Sequence, residues 1–194
     1  MFIEPHLNQT KHASVGWIEV ITGAMFSGKT EELIRRLKRA LIAKQQVEIF
    51  KPLLDKRFHP ENVVSHNKNA IKSTAVDFAE DILLRAVNFD VIGIDESQFF
   101  DKRLVEVCNE LAQSGKRVII AGLDMDFSGK PFGPMPDLMA CAEYITKLHA
   151  ICAKCGQTAN YSFRKVPSPE KIYIGEKETY EPRCRKCFSE SFQR

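Results

Sequence analysis

The stretch Trp17–Thr30 reads WIEVITGAMFSGKT. Its opening, Trp17-Ile18-Glu19-Val20-Ile21, is short, apolar and rich in β-branched residues, which predicts a strand ending at Thr22-Gly23. Gly23, Ala24, Met25, Phe26, Ser27, Gly28, Lys29 and Thr30 fit G-x-x-x-x-G-K-T, a loop whose backbone N–H groups surround phosphate oxygens. From Thr30 to Lys44 the apolar residues Leu33, Leu37, Ala40 and Leu41 recur at helical spacing with Ile34 beside them. Glu31, Glu32, Arg35, Arg36, Lys38 and Arg39 are expected on the wet side. A Gly-rich turn carrying an exposed lysine needs neither flank, whereas a phosphate loop needs both the strand before it and the helix after it.

Working outward, Val47–Phe50 is a second strand candidate, and a long polar connection follows from Lys51 to about Lys72, with irregular structure near Ser65-His66. Asp77–Ala86 reads as a helix and Val91–Ile94 as a buried strand. Leu104, Cys108, Leu111 and Ala112 mark one helical face before Ser114-Gly115, and Val118–Ile120 is the next strand. Strands alternating with helices require crossovers, so the fold class is α/β, with a mainly parallel sheet covered by helices and active loops at the strands' carboxyl ends. Near Ala150 the pattern changes to paired cysteines, turn residues and short strand candidates at Tyr161–Phe163 and Ile172–Ile174. The expected organisation is an N-terminal extension over 1–16, a nucleotide-binding domain over 17–150 and a small metal-binding domain over 151–194.

A length of 194 residues suits one domain with an appendage, and 44% hydrophobic against 27% charged residues excludes a wholly disordered chain. No apolar run is long enough for a membrane span, and Met1–Trp17 has no apolar signal core, so a cytoplasmic protein without membrane partners is expected. The net charge is +3, with nine Lys or Arg against five acidic residues over 151–194. Four thiolates around one Zn²⁺ would offset part of that local excess, so general attraction to nucleic acid is only weakly supported.

Chemistry concentrates in two places. Lys29 can place charge at the β/γ end of a nucleotide, and the Thr30 hydroxyl can ligate Mg²⁺. Asp95, at the end of the Val91–Ile94 strand, is expected to hold Mg²⁺ directly or through water, and Glu96 to accept a hydroxyl proton or orient water. The second place is Cys152-x-x-Cys155 with Cys184-x-x-Cys187, whose four sulfurs suit a closed, structural Zn²⁺ site, disulfides being the alternative. The 28 residues between the pairs exceed a minimal ribbon. They enclose either a lid in which Tyr161, Ile172, Ile174, Gly175 and Tyr180 surround a planar base, or a small hairpin core. Cys108 and Cys141 read as helix core residues, and the five histidines form no metal spacing. Asp55 and Arg57 can approach the phosphate site or stay solvated, and Phe127 and Phe132 can line a pocket or pack a turn.

In this order, these motifs resemble thymidine kinases of the type II family over about Trp17–Phe188. The resemblance is carried by G-A-M-F-S-G-K-T at Gly23–Thr30, K-P-x-x-D-x-R at Lys51–Arg57, D-E-S-Q-F-F at Asp95–Phe100, G-L-D-x-D-F at Gly122–Phe127, K-P-F at Lys130–Phe132, both cysteine pairs, and a lasso-like segment matching at Tyr161-Ser162, Ile172-x-Ile174-Gly175 and Tyr180. It implies transfer of phosphate from ATP to thymidine, with deoxyuridine a second substrate, in nucleotide salvage. By the same resemblance Glu96 acts on the 5′-hydroxyl, Asp55 and Arg57 lie near the reaction centre, and Met25, Leu123, Phe127, Phe132, Ser162, Ile172, Ile174, Gly175 and Tyr180 surround the nucleoside. Ser162 departs from relatives that carry Thr there, beside the thymine methyl. A homotetramer and feedback inhibition by thymidine triphosphate are implied by the family alone. An ATP-driven nucleic-acid-binding module with a zinc ribbon is the competing class, because Walker-type residues serve both.

Overall fold

The computed structural model describes residues 15–53, 62–64, 70–166 and 178–191. Its centre is a six-stranded sheet in the order β5-β2-β6-β7-β1-β8, in which every neighbouring pair is parallel. The strands are β1 (Trp17–Gly23), β2 (Val47–Pro52), β5 (Thr74–Val76), β6 (Val91–Ile94), β7 (Arg117–Gly122) and β8 (Tyr144–Leu148). A short antiparallel pair, β3 (Asn62–Val64) with β4 (Ala70–Lys72), lies within the expected polar connection; Ser65 and His66, where irregular structure was expected, lie outside the described residues. The fold is therefore α/β with a parallel sheet, as the alternation of elements requires.

Strand alternation distributes the core over both faces. Ile18, Val20, Ile92, Ile94, Val118 and Ile120 point into one cluster with α2 (Glu80–Arg85), α3 (Leu104–Gln113) and α4 (Met135–Cys141). Ile21, Ile49, Val91, Ile119 and Ala121 face the other way, against Leu33, Ile34, Leu37 and Ala40 of α1 (Lys29–Ile42). Two details of α1 differ from the periodicity reading. Leu41 is 46% exposed at the helix end. Arg36, expected on the wet side, is fully buried, because its guanidinium donates to Glu19 of β1 at 2.8 Å, to Glu32 at 2.8 Å and to Thr146 of β8 at 2.9 Å. Glu19 also accepts from Arg117 at 2.6 Å and from Trp17 Nε1 at 2.8 Å. This buried charge cluster fastens the helix after the phosphate loop to three strands.

The C-terminal strands follow β8 with only His149 between. They form two antiparallel pairs, β9 (Ala150–Ile151) with β10 (Thr158–Ala159) and β11 (Tyr161–Arg164) with β12 (Tyr180–Arg183), followed by α5 (Arg185–Ser189). This unit packs against the loop after β7. A Cβ on Gly129 would lie 3.3 Å from both the Tyr161 and Phe188 rings, which stack on each other with centroids 4.3 Å apart. Among the described residues no helix is long and apolar enough to cross a membrane.

Candidate active site and metal centre

The parallel sheet brings the carboxyl ends of β1, β6 and β7 to one edge. Gly23–Lys29 turns there from β1 into α1, with Gly28 capping the helix in the left-handed region at φ 87° and Phe26 also left-handed at φ 64°. These conformations turn the loop around its own N–H groups next to the positive end of α1, the arrangement that receives phosphate. Ser27 Oγ is buried and lacks a hydrogen-bond partner among the described residues. Lys29 is half-buried and its Nζ donates to the Ala24 carbonyl at 2.9 Å, across the loop.

Asp95, 7% exposed, follows β6 and approaches the start of α1: the Thr30 hydroxyl donates to Asp95 Oδ2 at 3.3 Å. A hydroxyl beside a carboxylate next to a phosphate loop is a donor set able to hold Mg²⁺ with a nucleotide. The other Asp95 oxygen accepts the Glu96 N–H at 3.0 Å. Glu96 is half-buried and held in the left-handed region at φ 51°. Such a conformation at a non-glycine residue is uncommon and is maintained only where its surroundings fix it.

The loop after β7 closes the third side. Leu123 and Phe132 are each 8% exposed, and Phe132 meets Phe99 edge to face with centroids 5.7 Å apart. Phe127 is half-buried under the Arg164 guanidinium, 3.6 Å from the ring centroid. Ser162, from β11, accepts the Met25 N–H at 2.9 Å, so the C-terminal unit touches the phosphate loop directly. That bond uses only a hydroxyl, which Ser and Thr both supply. Tyr180, on β12, is 8% exposed. Asp55, Arg57, Ile172, Ile174 and Gly175 lie outside the described residues. Three contributors carried no sequence expectation. Gln98 bridges Glu96 and Leu123. Asp124 pairs with Lys147 at 2.6 Å. Arg164 covers Phe127. Gln98 and Asp124 stand inside motifs quoted for the family, which was the available signal.

The four expected cysteines converge, and their ligand atoms lie within 4.8 Å of one another, with Cys155 and Cys184 sulfurs 3.6 Å apart. Tetrahedral Zn–S bonds of about 2.3 Å put sulfurs about 3.8 Å apart, so the set fits Zn²⁺. All four are free thiols. Burial alone would raise Cys152, but backbone N–H groups of Cys184, Lys154 and Cys155 bring it down to about 6. Burial and the neighbouring thiols push Cys187 up to about 12. A cation among the four sulfurs would let all of them ionise as ligands.

Comparison with known proteins settles the family. The sequence model described as "Thymidine kinase" matches residues 16–188. The chain belongs to the thymidine kinase family. It is 62% identical over 175 residues to a protein named thymidine kinase from Rhodothermus sp. (strain ITI 518), covering 90% of this chain and 82% of that one. Identity is 55% over 193 residues with the thymidine kinase of Bacteroides fragilis (strain YCH46), covering 100% of this chain and 96% of the relative. Among solved structures, the flagellar accessory protein FlaH from Methanocaldococcus jannaschii shares the fold at a TM-score of 0.50 and 15% identity, over 76% of each chain. That likeness concerns architecture alone.

Proposed function

We propose that this member of the thymidine kinase family transfers the γ-phosphoryl group of ATP to the 5′-hydroxyl of thymidine, giving ADP and thymidine 5′-monophosphate, and accepts deoxyuridine as a second substrate. One observation carries the reading: similarity to proteins named thymidine kinase runs the whole length of the chain, through both the phosphate loop and the cysteine unit. The geometry supports it, because a phosphate loop, two carboxylates and a partly apolar wall meet at one sheet edge.

In this reading the N–H groups of Gly23–Thr30 hold the triphosphate, and Lys29 leaves the Ala24 carbonyl to neutralise charge developing at the β/γ oxygens. Thr30 and Asp95 would hold Mg²⁺, which supplies charge neutralisation across the phosphates. Glu96 takes the proton as the 5′-oxygen attacks phosphorus and the bond to the β-phosphate oxygen breaks, releasing ADP. Met25, Leu123, Phe127, Phe132, Ser162 and Tyr180, with Ile172, Ile174 and Gly175, form the nucleoside pocket, and Asp55 and Arg57 act beside the reacting phosphate.

Cys152, Cys155, Cys184 and Cys187 would hold a structural Zn²⁺ that pins both ends of Gly156–Arg183. Residues 17–150 serve as the kinase domain, residues 151–194 as the zinc-binding domain with its lasso, and residues 1–16 as an extension. A cytoplasmic setting keeps the four thiols reduced. Homotetramer formation and inhibition by thymidine triphosphate rest on the family resemblance. A nucleoside panel tests the pocket. Thymidine should be preferred, deoxyuridine should lose no more than about 1 to 3 kcal/mol for its missing methyl, and deoxyguanosine should be rejected. Efficient phosphorylation of deoxyguanosine would refute this pocket.

A further inference from the structure

Gln98 is 2% exposed and belongs to the 3₁₀ turn Ser97–Phe99 that follows the proposed base. Its amide is used at both ends. Nε2 donates to Glu96 Oε2 at 2.6 Å, and Oε1 accepts the Leu123 N–H at 2.9 Å. The carboxylate after β6 and the pocket wall after β7 are thus joined through one buried side chain. The surroundings are shaped for it. A Cβ on Gly122 would come within 3.0 Å of Gln98 Oε1 and 2.6 Å of Met135 Sδ. Gly133 lies at φ +53°, and a Cβ there would fall 2.2 Å from the Gln98 carbonyl oxygen.

We propose that Gln98 is a positioning residue for phosphoryl transfer: it aims the Glu96 carboxylate and fixes it relative to the nucleoside wall at Leu123. The inference rests on the reading of Glu96 as the base. Glu96 already sits in a strained backbone conformation, and its main chain is held by Asp95 Oδ1. The Gln98 amide adds a direct hold on its carboxylate, and a small misplacement of a catalytic group costs rate steeply. Because the same amide also grips Leu123, the aim of the base and the position of the pocket wall are coupled.

The experiment compares wild type with Gln98→Met and Gln98→Glu, measuring kcat, KM for thymidine, KM for ATP and the pH profile of kcat. Methionine matches the length and lacks both hydrogen bonds. It should lower kcat by about tenfold or more, a share of the 10²- to 10⁴-fold available to a positioned base, with KM for ATP within about twofold. Glutamate keeps an acceptor for Leu123 but sets a second carboxylate against Glu96. The two cannot both ionise at that distance, so the acid limb of the profile should move up by about one pH unit or more. A merely packed Gln98 would move stability and leave kcat of Gln98→Met in place. If Gln98→Met retains kcat within about twofold, or the Gln98→Glu limb overlays wild type, the positioning role is wrong. Absence of thymidine turnover by wild type would instead refute the activity itself.

Discussion

Replacing Glu19 by alanine tests how α1 is held. The carboxylate is fully buried and accepts four hydrogen bonds, from Trp17 Nε1 at 2.8 Å, Arg36 Nη1 at 2.8 Å, and Arg117 Nε and Nη2 at 2.6 and 3.2 Å. Removing it leaves two guanidinium groups inside the fold with no anion between them. Arg36 keeps Glu32 and Thr146, which limits the damage on that side. Breaking a buried ion pair by deleting one partner costs about 3 to 5 kcal/mol, a large share of the roughly 5 to 15 kcal/mol that holds a domain together. For a chain of this size that loss corresponds to a fall in Tm of about 6 to 20 °C. Arg103→Ala is the control, because its partners Glu80 and Glu110 are exposed, and such pairs contribute at most about 1 kcal/mol. Denaturant unfolding followed by circular dichroism reads both. A Glu19→Ala loss below about 1 kcal/mol would show that the cluster is solvated and that α1 is fixed by its apolar face alone. Replacing Glu19, Arg36 and Arg117 together with apolar residues should cost less than Glu19→Ala, since no charge is then left stranded.

Lys29→Ala should abolish most phosphoryl transfer while leaving the unfolding curve unchanged, because the side chain is half-buried in a surface loop and its task is charge at the phosphates; near-normal turnover would contradict that role. Glu96→Gln should keep nucleoside binding by calorimetry and lose about 10²- to 10⁴-fold in kcat, and a collapse of binding with turnover of bound substrate preserved would overturn the base assignment. Metal analysis should find one Zn²⁺ per chain, and Cys152→Ser should release it. A stable metal-free protein with four readily alkylated thiols would show the cysteines to be incidental.

The sheet was legible where a strand is buried on both faces or a helix keeps one clean stripe. β1, β6, β7, α1 and α3 meet that condition. Strands β5 and β8 do not: β5 has three residues in a polar stretch, and β8 is an edge strand with mostly exposed side chains. Helix α4 carries Pro at its start and spans only seven residues, too few for periodicity to show. Arg36 was misread because helical periodicity records side-chain polarity and cannot see that Glu19 and Glu32 wait behind it. At the site, the phosphate loop and the cysteine pairs announce themselves because their chemistry fixes spacing. Gln98 and the Asp124–Lys147 pair join segments far apart in sequence, and no local pattern encodes such contacts. Cys108 is fully buried, as its place on the α3 stripe implied, and burial raises its thiol pKa. Cys141, at the end of α4, is only partly covered.

The central claim is that this chain couples ATP cleavage to a nucleoside. The most direct measurement is ADP release by the purified wild-type protein with MgATP, with and without thymidine, in the absence of any nucleic acid. ADP should appear only with thymidine, and thymidine 5′-monophosphate should form in equal amount. ADP release that ignores thymidine, or that starts only when DNA or RNA is added, would contradict the account and favour a nucleic-acid-dependent ATPase built on the same loop.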